Sequence, residues 1–501
     1  MAETKREIER KYEATTGTRV PDLTKVRGVS RVRDAGRAEL DAVYYDTPDL
    51  RLAAHSLTLR RRTGGDDAGW HLKLPVAPGV RDEIRAPLGD EVPSGLAGLV
   101  RARTRGGGLV PVVRVRSSRH VHHLVDEDGA VLAELSTDTV HTERLTEGGG
   151  TADWAEIEIE LADGGDPALL DAVDKRFRKA GIHPAAAPSK LARALEETGT
   201  APPARPGPPA RDTAGGHVLG HLRAQADALL DYDAAVRRDQ PDSVHQMRVA
   251  TRRMRSAFRS YGRVLDRTVT DPVGEELRWL AAELGVDRDQ EVLTERLRAA
   301  LEALPRPLLQ GPVRGRLRRW SGARRSGSRG RTLKVLDSAR YLALLDRLEA
   351  LLADPPLRGA AAKDPGGVLA EAVLKDHARV ASRVEHALSL EPGRERDLAL
   401  HDARKAAKRA RYAAELARPA LGRPAKRLAR SLKRVQDVLG DHQDGVVARE
   451  ALKDLAQQAH AAGEPSFTWG VLYAREETAA ADRERELPEA WAGVSVKGLE
   501  T

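Results

Sequence analysis

The sequence predicts an α+β protein of two domains, an amino-terminal domain rich in β-strands and a carboxyl-terminal domain that is entirely helical. Residues 199–216 contain five prolines, so they cannot form a helix interior and are predicted to be a linker. Short runs of alternating polar and apolar residues precede this linker, whereas long Ala-, Leu- and Arg-rich stretches of helical period follow it. At 501 residues the chain is also too long for a single core.

The composition excludes several classes of site and suggests a class of partner. There are no cysteines, so disulfides, thiolate metal sites and cysteine nucleophiles are excluded. Residues 1–200 carry 30 Lys and Arg against 33 Asp and Glu (net −3), and residues 201–501 carry 53 against 42 (net +11), which together give the formal +8. A basic half suggests nucleic acid, polyphosphate or an acidic membrane surface as partner. Aromatic residues are only 3% of the chain, which argues against recognition by base stacking.

The sequence gives a simple expectation for location. The amino terminus is charged from Glu3 onward, and no apolar stretch approaches the length of a membrane span. We therefore expect a cytoplasmic protein without a signal peptide or membrane association. The sequence makes no prediction of the oligomeric state.

Charged side chains fall on one face of several predicted strands in the first domain. Side chains alternate along a strand, so Glu7, Glu9 and Lys11 share a face. The same alternation occurs at Thr58, Arg60 and Arg62; His71 and Lys73; Arg81, Glu83 and Arg85; Arg114 and Arg116; and Glu156, Glu158 and Glu160. The pattern fits either a sheet with a charged solvent face or a closed barrel whose polar face lines the lumen. In a barrel, the carboxylates would bind Mg²⁺ or Mn²⁺ beside cations that bind phosphate.

The strand bounds predicted in this domain follow from the same alternation. Predicted strands cover residues 56–63, 69–74, 110–116, 131–135 and 154–161, and one amphipathic helix covers residues 167–180.

Two helices of the second domain repeat one pattern of basic residues. Both have the offsets 0, 3, 7, 10 and 14, at His245, Arg248, Arg252, Arg255 and Arg259 and again at His401, Arg404, Lys408, Arg411 and Glu415. A Leu-Gly pair followed by an aspartate also recurs, and the separations are 156 residues from His245 to His401 and 155 from Asp289 to Asp444. We therefore predict an internal duplication, with two similar helical bundles, a shared basic groove and breaks near residues 305–312 and 354–367.

A row of arginines on one helix is usually a solvated face paired with acids. Acids are scarce on these stripes and the stripe occurs twice, so polyanion binding is the better interpretation. No metal-ligand spacing surrounds His245 or His401, which favours phosphate hydrogen bonding or helix packing for both.

An ordered set of motifs extends over residues 4–198: ExExK at 7–11, then YYDTPDLRL, SLTLRRR, WHLKLP, RDEIR, RVRSSR, AELSTD, WAEIEIEL and SKLARAL. The set resembles the CYTH family of triphosphate tunnel metalloenzymes. The resemblance implies an eight-stranded antiparallel tunnel that hydrolyses a terminal phosphoanhydride with Mg²⁺ or Mn²⁺. The metal and catalytic residues it implies are Glu7, Glu9, Glu158 and Glu160, with Lys11 also catalytic. The triphosphate-binding residues it implies are Lys11, Arg60, Arg62, Lys73, Arg116, Arg119 and Lys190.

The resemblance also covers secondary positions of the tunnel. Glu83 and Glu134 would complete the acidic face, with Glu156 as a further candidate, and His71 is expected to be a hydrogen-bonding wall residue. The chain has Thr137-Asp138 where relatives often carry two adjacent acids, which bears on the number of metal ions.

The second domain contains VHQMRVATRRMR, LGVDRDQEV, LHDARKAAKRARYAAE and LKRVQDVLGDHQD within residues 217–495. These motifs resemble the CHAD domain, a conserved-histidine α-helical domain. The resemblance implies paired four-helix bundles that bind inorganic polyphosphate and an association with polyphosphate granules. The binding residues it implies are His245, Arg248, Arg252, Arg253, Arg255, His401, Arg404, Lys405, Lys408, Arg411, Tyr412, Lys433 and Arg434. Asp289 and Asp444 are expected to orient arginines.

The sequence thus predicts a metal-dependent triphosphatase joined to a polyphosphate-binding module. Three alternatives remain: a non-catalytic polyphosphate scaffold, a tunnel enzyme acting on an organic or nucleoside triphosphate (including adenylate cyclisation), and a nucleic-acid binder. Phosphate release, product identity and competition between polyphosphate and DNA distinguish them. The low aromatic content counts against a specific nucleic-acid partner.

Overall fold

The structure, a computed structural model, describes residues 3–203, 207, 209–325 and 328–499. The chain divides into two compact units, Met1–Gly207 and Pro208–Thr501. Within the predicted linker, residues 204–206 and 208 lie outside the described residues. No helix in the described part of the chain is both long enough and apolar enough to cross a membrane.

The described residues of the first unit contain eight antiparallel strands that close into a barrel in the order β1-β5-β4-β3-β2-β6-β7-β8. The strands are β1 (Glu3–Ala14), β2 (Arg31–Asp46), β3 (Thr58–Thr63), β4 (Gly69–Ala77), β5 (Val80–Ala86), β6 (Val110–Val125), β7 (Val131–Arg144) and β8 (Thr151–Leu161). The first half of β1 pairs with β5 and its second half pairs with β8, which closes the barrel and removes the sheet edges. This confirms the predicted eight-stranded antiparallel tunnel.

Several strands are longer than the sequence predicted. β6 continues to Val125 instead of ending at residue 116, and β7 continues to Arg144 instead of ending at residue 135. The added part of β6, Ser117–His123, consists mostly of Ser, His and Arg, so it lacks the apolar alternation on which the prediction relied.

Many apolar side chains of the barrel face outward and are covered by short helices. The helices of this unit are α1 (Arg51–Ala54), α2 (Ser94–Thr104), α3 (Ala168–Lys179) and α4 (Lys190–Glu197). Phe177 of α3 meets Tyr12 of β1 edge-to-face at a centroid distance of 4.7 Å, and Leu96 of α2 packs in one cluster with Trp70 of β4. A further apolar cluster lies on the inward face, where Tyr44, Val113 and Trp154 pack against Leu191 of α4, and the remaining inward positions carry polar side chains.

The described residues of the second unit contain ten α-helices and no strands. They are α5 (Ala214–Arg237), α6 (Ser243–Ser260), α7 (Arg267–Glu283), α8 (Gly285–Glu302), α9 (Val313–Arg325), α10 (Ser328–Asp337), α11 (Ala339–Ala353), α12 (Pro365–Ser389), α13 (Arg394–Ala461) and α14 (Phe467–Ala492). The helix ends at residues 302 and 353 fall at the two predicted breaks. This confirms the predicted all-α fold.

A sharp bend divides α13 into two limbs. Gly422 has φ 61° and ψ −130°, a conformation that only glycine adopts readily, and Pro419 and Pro424 flank it. The limb before the bend corresponds to α6 in the predicted duplication, and the limb after it corresponds to α7 and α8.

The repeated motifs make matching contacts in the two copies. Arg248 of α6 donates to Asp289 of α8 at 2.9 Å, and Arg404 lies 3.9 Å from Asp444 in the second copy. A Cβ atom at Gly285 would clash with the Arg248 guanidinium, and one at Gly440 would crowd Arg404 in the same way. The glycine of each Leu-Gly pair therefore leaves room for an arginine that an aspartate orients.

Candidate functional site

A polar cavity of about 160 Å³ lies inside the barrel. Its wall is formed by Lys5, Glu7, Glu9, Lys11, Tyr44, Thr58, Arg60, Arg62, Asp67, Lys73, Arg81, Glu83, Arg85, Arg119, Glu134, Glu158, Glu160, Ser189 and Lys190. The strand alternation seen in the sequence explains the inward direction of most of these side chains. The resemblance to the CYTH family predicted a set of metal-binding, catalytic and triphosphate-binding residues for the tunnel. All but one of them line this cavity.

The first strand supplies four of these side chains at alternate positions. In the strand register Glu9 lies opposite Glu160 and Lys11 opposite Glu158, both on β8, while Glu7 lies opposite Arg81 on β5. β1 therefore brings two carboxylates and a lysine to the centre of the cavity.

Cations and carboxylates of this wall neutralise one another. The Lys73 ammonium lies 2.6 Å from Glu7, and Lys11 lies 3.2 Å from Glu9. Burial is the main cause that raises the pKa of Glu7, with contributions from Glu83 and Glu160. Glu9 is also buried, but Lys11 and Lys73 lower its pKa below the ordinary value. The two carboxylates of the ExExK motif therefore differ in how readily they ionise.

Lys190 lies among three carboxylates. Its ammonium is 2.8 Å from Asp138, 2.5 Å from Glu156 and 2.9 Å from Glu158. Burial opposes the charge, but these acids hold the pKa of Lys190 well above its usual value. Ser189 fixes the position by capping α4, since its hydroxyl accepts from the Ala192 N–H at 3.1 Å.

Oxygen atoms of Asp138, Glu156 and Glu158 lie within 4.8 Å of one another, a spacing compatible with a metal ion. The Lys190 ammonium already supplies the compensating charge at this trio, however. Lys190 therefore competes with a cation at this trio, of which Glu158 lines the cavity.

Three arginines, Arg60, Arg62 and Arg119, form an arginine wall of the cavity, and each lies near a carboxylate. Arg119 donates to both oxygens of Asp138 at 2.8 and 2.7 Å, and also to Glu158 at 2.7 Å. Burial and the nearby Arg60 and Arg119 lower the pKa of Arg62 to about 9. Repulsion of this kind is relieved by an anion, which makes this wall a candidate phosphate site.

His71 is buried behind the cavity wall and hydrogen bonds on both sides. Its Nδ1 lies 2.9 Å from Glu83 and its Nε2 lies 2.9 Å from the Asp67 carbonyl. Burial, together with Arg60 and Arg62, lowers the pKa of His71 to about 4, so the ring is neutral near pH 7. The wall position expected for His71 is not what the structure shows, because Glu83 and Asp67, to which it bonds, line the cavity and His71 does not.

One predicted triphosphate residue is not in the cavity. Arg116 and Arg119 are three positions apart on β6 with no bulge between them, so their side chains lie on opposite faces. Arg119 faces the cavity, whereas Arg116 is half exposed and lies 3.9 Å from Asp41. The prediction that Arg116 lies in the tunnel was therefore wrong, because Arg116 and Arg119 lie on opposite faces of β6. Glu134 does line the cavity, at a position where its side chain is 45% exposed.

The carboxylates of the cavity fit a hard divalent cation. Glu7, Glu9, Glu158 and Glu160 line one cavity and offer only oxygen, the donor that Mg²⁺ and Mn²⁺ prefer. Burial and like charges raise the pKa of Glu7, and a cation bound there would relieve that cost. The residues present therefore fit the metal that the fold family implies.

In the second unit the two basic stripes face each other. Burial, followed by Arg404 and Arg252, lowers the pKa of Lys408 to about 8, and Arg248 contributes in the same direction. Arg248 and Arg252 belong to α6, whereas Arg404 and Lys408 belong to α13. We call these four residues the basic groove; it is built from both copies of the duplication, as the sequence predicted.

A second basic concavity of about 500 Å³ lies where the two limbs of α13 meet α5 and α6. We call it the basic pocket; its wall is His221, Gln225, Arg253, Arg411, Glu415, Arg418, Lys426, Ala429, Arg430 and Lys433. Six of these side chains are Arg or Lys against one Glu, so the pocket is strongly positive. Both Arg253 and Arg411 lie over the Tyr412 ring, at 5.7 and 4.6 Å.

The sequence prediction missed half of the six basic side chains of the pocket. Arg418, Lys426 and Arg430 were not among the predicted residues, although Arg418 follows Arg411 by seven residues and Lys433 follows Lys426 by the same interval. Helical spacing could have found each limb separately. Only the bend at Gly422 brings the limbs to one pocket.

The remaining predicted residues lie outside the basic groove, and Lys433 among them lines the basic pocket. Lys405 pairs with Asp402 at 3.1 Å and is 63% exposed; Lys433 and Arg434 pair with Asp437 and Glu489. His401 lies beside Gln443, Arg255 lies toward Glu275 and Arg278 of α7, and His245 lines another cavity with Glu291. We find no group of metal-ligand spacing at either histidine among the described residues.

Comparison with known proteins agrees with this architecture. Residues 5–195 match the CYTH domain model, and residues 220–453 match the CHAD domain model. Uncharacterized proteins of two Mycobacterium tuberculosis strains are each 41% identical over 502 aligned residues, covering 97% of this chain and 95% of the relative.

Solved structures include PptA from Streptomyces chartreusis, with 24% identity over 56% of this chain and 99% of that chain and a TM-score of 0.48. They also include the CHAD domain from the plant Ricinus communis, with 24% identity over 58% of this chain and 99% of that chain and a TM-score of 0.45. HpAC1 from Hippeastrum is described as having a dominant triphosphatase activity. It is 16% identical over 40% of this chain and 98% of its own chain, with a TM-score of 0.25. The chain therefore belongs to the same family as the two mycobacterial proteins and joins an amino-terminal CYTH domain to a carboxyl-terminal CHAD domain.

Proposed function

We propose that the barrel hydrolyses inorganic triphosphate, or the end of a short polyphosphate chain, with Mg²⁺ or Mn²⁺, and that the helical unit binds inorganic polyphosphate. The observation that carries the proposal is the composition of the barrel cavity, whose wall has nine basic and seven acidic side chains. Mixed buried charge at this density is costly unless a ligand uses it. A phosphate chain with a divalent cation matches both signs.

The ion pairs of the cavity support an exchange of partners when a phosphate chain and a divalent cation bind. Phosphate oxygens would take the place of carboxylates around Lys73, Lys11 and the arginine wall, which releases Glu7 and Glu9 for the cation. A divalent cation supplies screening of the phosphate charge and activation of water. Lys190 keeps its own carboxylates and orients the remaining side chains of that wall.

The reaction consumes one water for each bond cleaved. The water oxygen forms a bond to the terminal phosphorus, and the bond from that phosphorus to the bridging oxygen breaks. The electron pair stays on the leaving diphosphate, where Arg60, Arg62 and Arg119 offset the charge. The water protons pass to the product phosphate and to solvent.

The test is phosphate release from inorganic triphosphate with and without Mg²⁺ or Mn²⁺. We expect metal-dependent release in the native protein and a fall of about 100-fold or more in Glu7→Gln/Glu9→Gln, because the carboxylates act on the charge that develops during reaction. Glu127→Gln/Asp128→Asn, two exposed acids in the turn after β6, is the matched control. Absence of release from triphosphate, ATP and thiamine triphosphate would instead favour the scaffold, and cyclic nucleotide as product would favour cyclisation.

The basic groove and the basic pocket support the polyphosphate part of the proposal. Their cations form two separate clusters within the second unit, and each can bind several phosphates of a chain. Affinity measured with fluorescent polyphosphate should fall steeply as salt rises, since each phosphate contact releases a counterion. Equal competition by single- or double-stranded DNA would contradict a preference for polyphosphate.

The linker gives a reason for joining the two units. Because α5 begins at Ala214, the tether consists of residues 199–213. It can hold a bound polyphosphate at an effective concentration in roughly the millimolar range near the tunnel. Cutting an inserted protease site in the linker should then slow turnover of long polyphosphate but leave triphosphate turnover unchanged. Unchanged turnover of both substrates would remove this part of the proposal, including any targeting of the enzyme to polyphosphate granules.

A further inference from the structure

Two histidines and an aspartate meet on the outer face of the barrel, away from the cavity. His120 and His122 alternate along β6, so they share a face, and Asp34 of β2 lies directly opposite His122 in the strand register. His123 has the opposite parity and lies at the register position of Glu134, which lines the cavity. The outer three residues are therefore separate from the phosphate site.

The spacing of these three side chains suits one metal ion. His120 Nε2 is 3.0 Å from Asp34 Oδ1, the two imidazole centroids are 4.2 Å apart, and the three ligand atoms lie within 4.8 Å of one another. Ligands around a tetrahedral Zn²⁺ at about 2.0–2.1 Å are separated by roughly 3.3 Å. Small side-chain rotations are enough to reach that geometry.

Two further observations point to a ligand at this place. His122 Nδ1 is buried and forms no hydrogen bond with any of the described residues, which is costly for a polar atom. Asp34 is held by the Gly36 N–H at 2.7 Å, at a β-bulge between residues 34 and 36 that turns the carboxylate.

We propose that Asp34, His120 and His122 form a site for a transition-metal cation of borderline softness, Zn²⁺ or an ion of similar preference, with one position open to solvent. The two imidazoles set it apart from the cavity, whose carboxylates offer only oxygen. Metal bound here would join β2 to β6 beside the bulge and stabilise the barrel, because it binds the folded chain alone.

A second histidine cluster of similar spacing does not carry such a proposal. His442 lies 3.3 Å from Asp397 and 3.1 Å from Glu484 in the helical unit. Arg449 and Arg396 already neutralise those two acids at 3.0 Å each, so a cation would have to displace both. At the site on β2 and β6, the positive charge that the strand pairing places opposite a ligand is Arg37, which lies across from His120 and is exposed.

The test measures Zn²⁺ binding to the full chain by calorimetry, with Co²⁺ absorption as a second readout of ligand type. We expect one site that survives Glu7→Gln/Glu9→Gln, and at least tenfold weaker binding in His120→Ala and in His122→Ala. His141→Ala is the matched control, since His141 pairs with Asp153 alone at an exposed position of β7. Arg37→Ala should tighten binding by removing the opposing charge.

Each outcome decides the proposal. Visible Co²⁺ bands typical of nitrogen ligands that disappear in His122→Ala would support the assignment, as would a Zn²⁺-dependent rise in melting temperature confined to proteins with both histidines. Binding that is absent, unchanged in His120→Ala and His122→Ala, or lost in Glu7→Gln/Glu9→Gln would overturn it. Melting curves without metal show whether each variant folds, so loss of binding is not confused with loss of structure.

Discussion

The barrel and the helical unit both present clustered basic side chains, but they hold those charges in different ways. In the barrel Lys190, Lys73 and Arg119 each lie within 3 Å of a carboxylate. In the basic groove Lys408 lies among arginines, and burial together with Arg404 and Arg252 lowers its pKa to about 8. The barrel cations are thus balanced by acids, whereas the groove pairs Arg248 with Asp289 and Arg404 with Asp444 and keeps a net positive charge around Lys408.

This difference teaches what each region can do. Balanced charge is preorganised and can be divided between a cation and an anion, which suits chemistry on a bound phosphate. Unbalanced charge is relieved by any polyanion and is screened by salt, which suits binding without chemistry. The predictions below test the contrast from the largest expected effect to the smallest.

Removing one cation from the balanced region should have the largest effect. Lys190→Met leaves Asp138, Glu156 and Glu158 without their shared ammonium, so we expect a loss of about 3–5 kcal/mol in the free energy of unfolding, together with loss of triphosphatase activity. Urea unfolding and phosphate release measure these effects. The exposed Lys25→Met, in the same unit, should stay within about 0.5 kcal/mol. A loss below about 1 kcal/mol for Lys190→Met would show that the charges are not balanced as described.

Removing a cation from the unbalanced region should weaken binding but not the fold. For Arg252→Ala we expect roughly tenfold weaker polyphosphate binding and an unchanged or slightly higher melting temperature, because a repulsive neighbour of Lys408 is lost. Arg485→Ala, which removes an exposed arginine paired with Asp482, is the control and should change neither. A melting temperature lowered by Arg252→Ala, as for Lys190→Met, would remove the contrast between the two regions.

The pH dependence of polyphosphate binding should report on Lys408. Its pKa is about 8, below the ordinary value of 10.5, so the ammonium is present below pH 8 and is lost as the pH rises through 8. We expect affinity to fall by roughly threefold to tenfold between pH 7 and pH 9. Bound phosphate raises the pKa and so shifts the fall to higher pH. Lys408→Arg keeps its charge throughout and should bind with little change over this range, and a fall of the same size in that variant would assign the effect to another group.

The smallest effect is expected at Arg116, which the structure places outside the cavity. Arg116→Ala should leave triphosphate turnover within about twofold of the native rate, whereas Arg119→Ala should lower it by about tenfold or more, because only Arg119 contacts the cavity carboxylates. Both are measured as phosphate release with Mg²⁺ or Mn²⁺. Equal losses in the two variants would show that Arg116 reaches the phosphate after all.

Much of the barrel site could be predicted because strand alternation is a local property. Glu7, Glu9 and Lys11 must share a face in any strand, and the same holds for Arg60 with Arg62 and for Glu158 with Glu160. The same local rule, applied to Arg116 and Arg119, separates them, and the structure agrees with the rule. The resemblance to the CYTH family assigned Arg116 and Arg119 to one site, whereas alternation alone places them on opposite faces.

Other parts of the two sites depend on contacts between distant segments. Lys190 follows β8 by almost thirty residues, and only the packing of α4 against the barrel brings its ammonium to Asp138 and Glu156. Asp34 and His122 are likewise joined by the pairing of β2 with β6 and by the bulge. No periodicity within a segment carries this information.

The sequence by itself determined the two-part α+β architecture, the faces of the strands and helices, and the duplication of the helical unit. These follow from side-chain periodicity and from the Pro-rich run, which act over a few residues. Only the tertiary structure decided which charges neutralise one another, that the groove draws on both copies, and that the bend at Gly422 joins two limbs into the basic pocket. Electrostatic energy depends on distances in space and on burial, and both are set by the closure of the barrel and the packing of the helices.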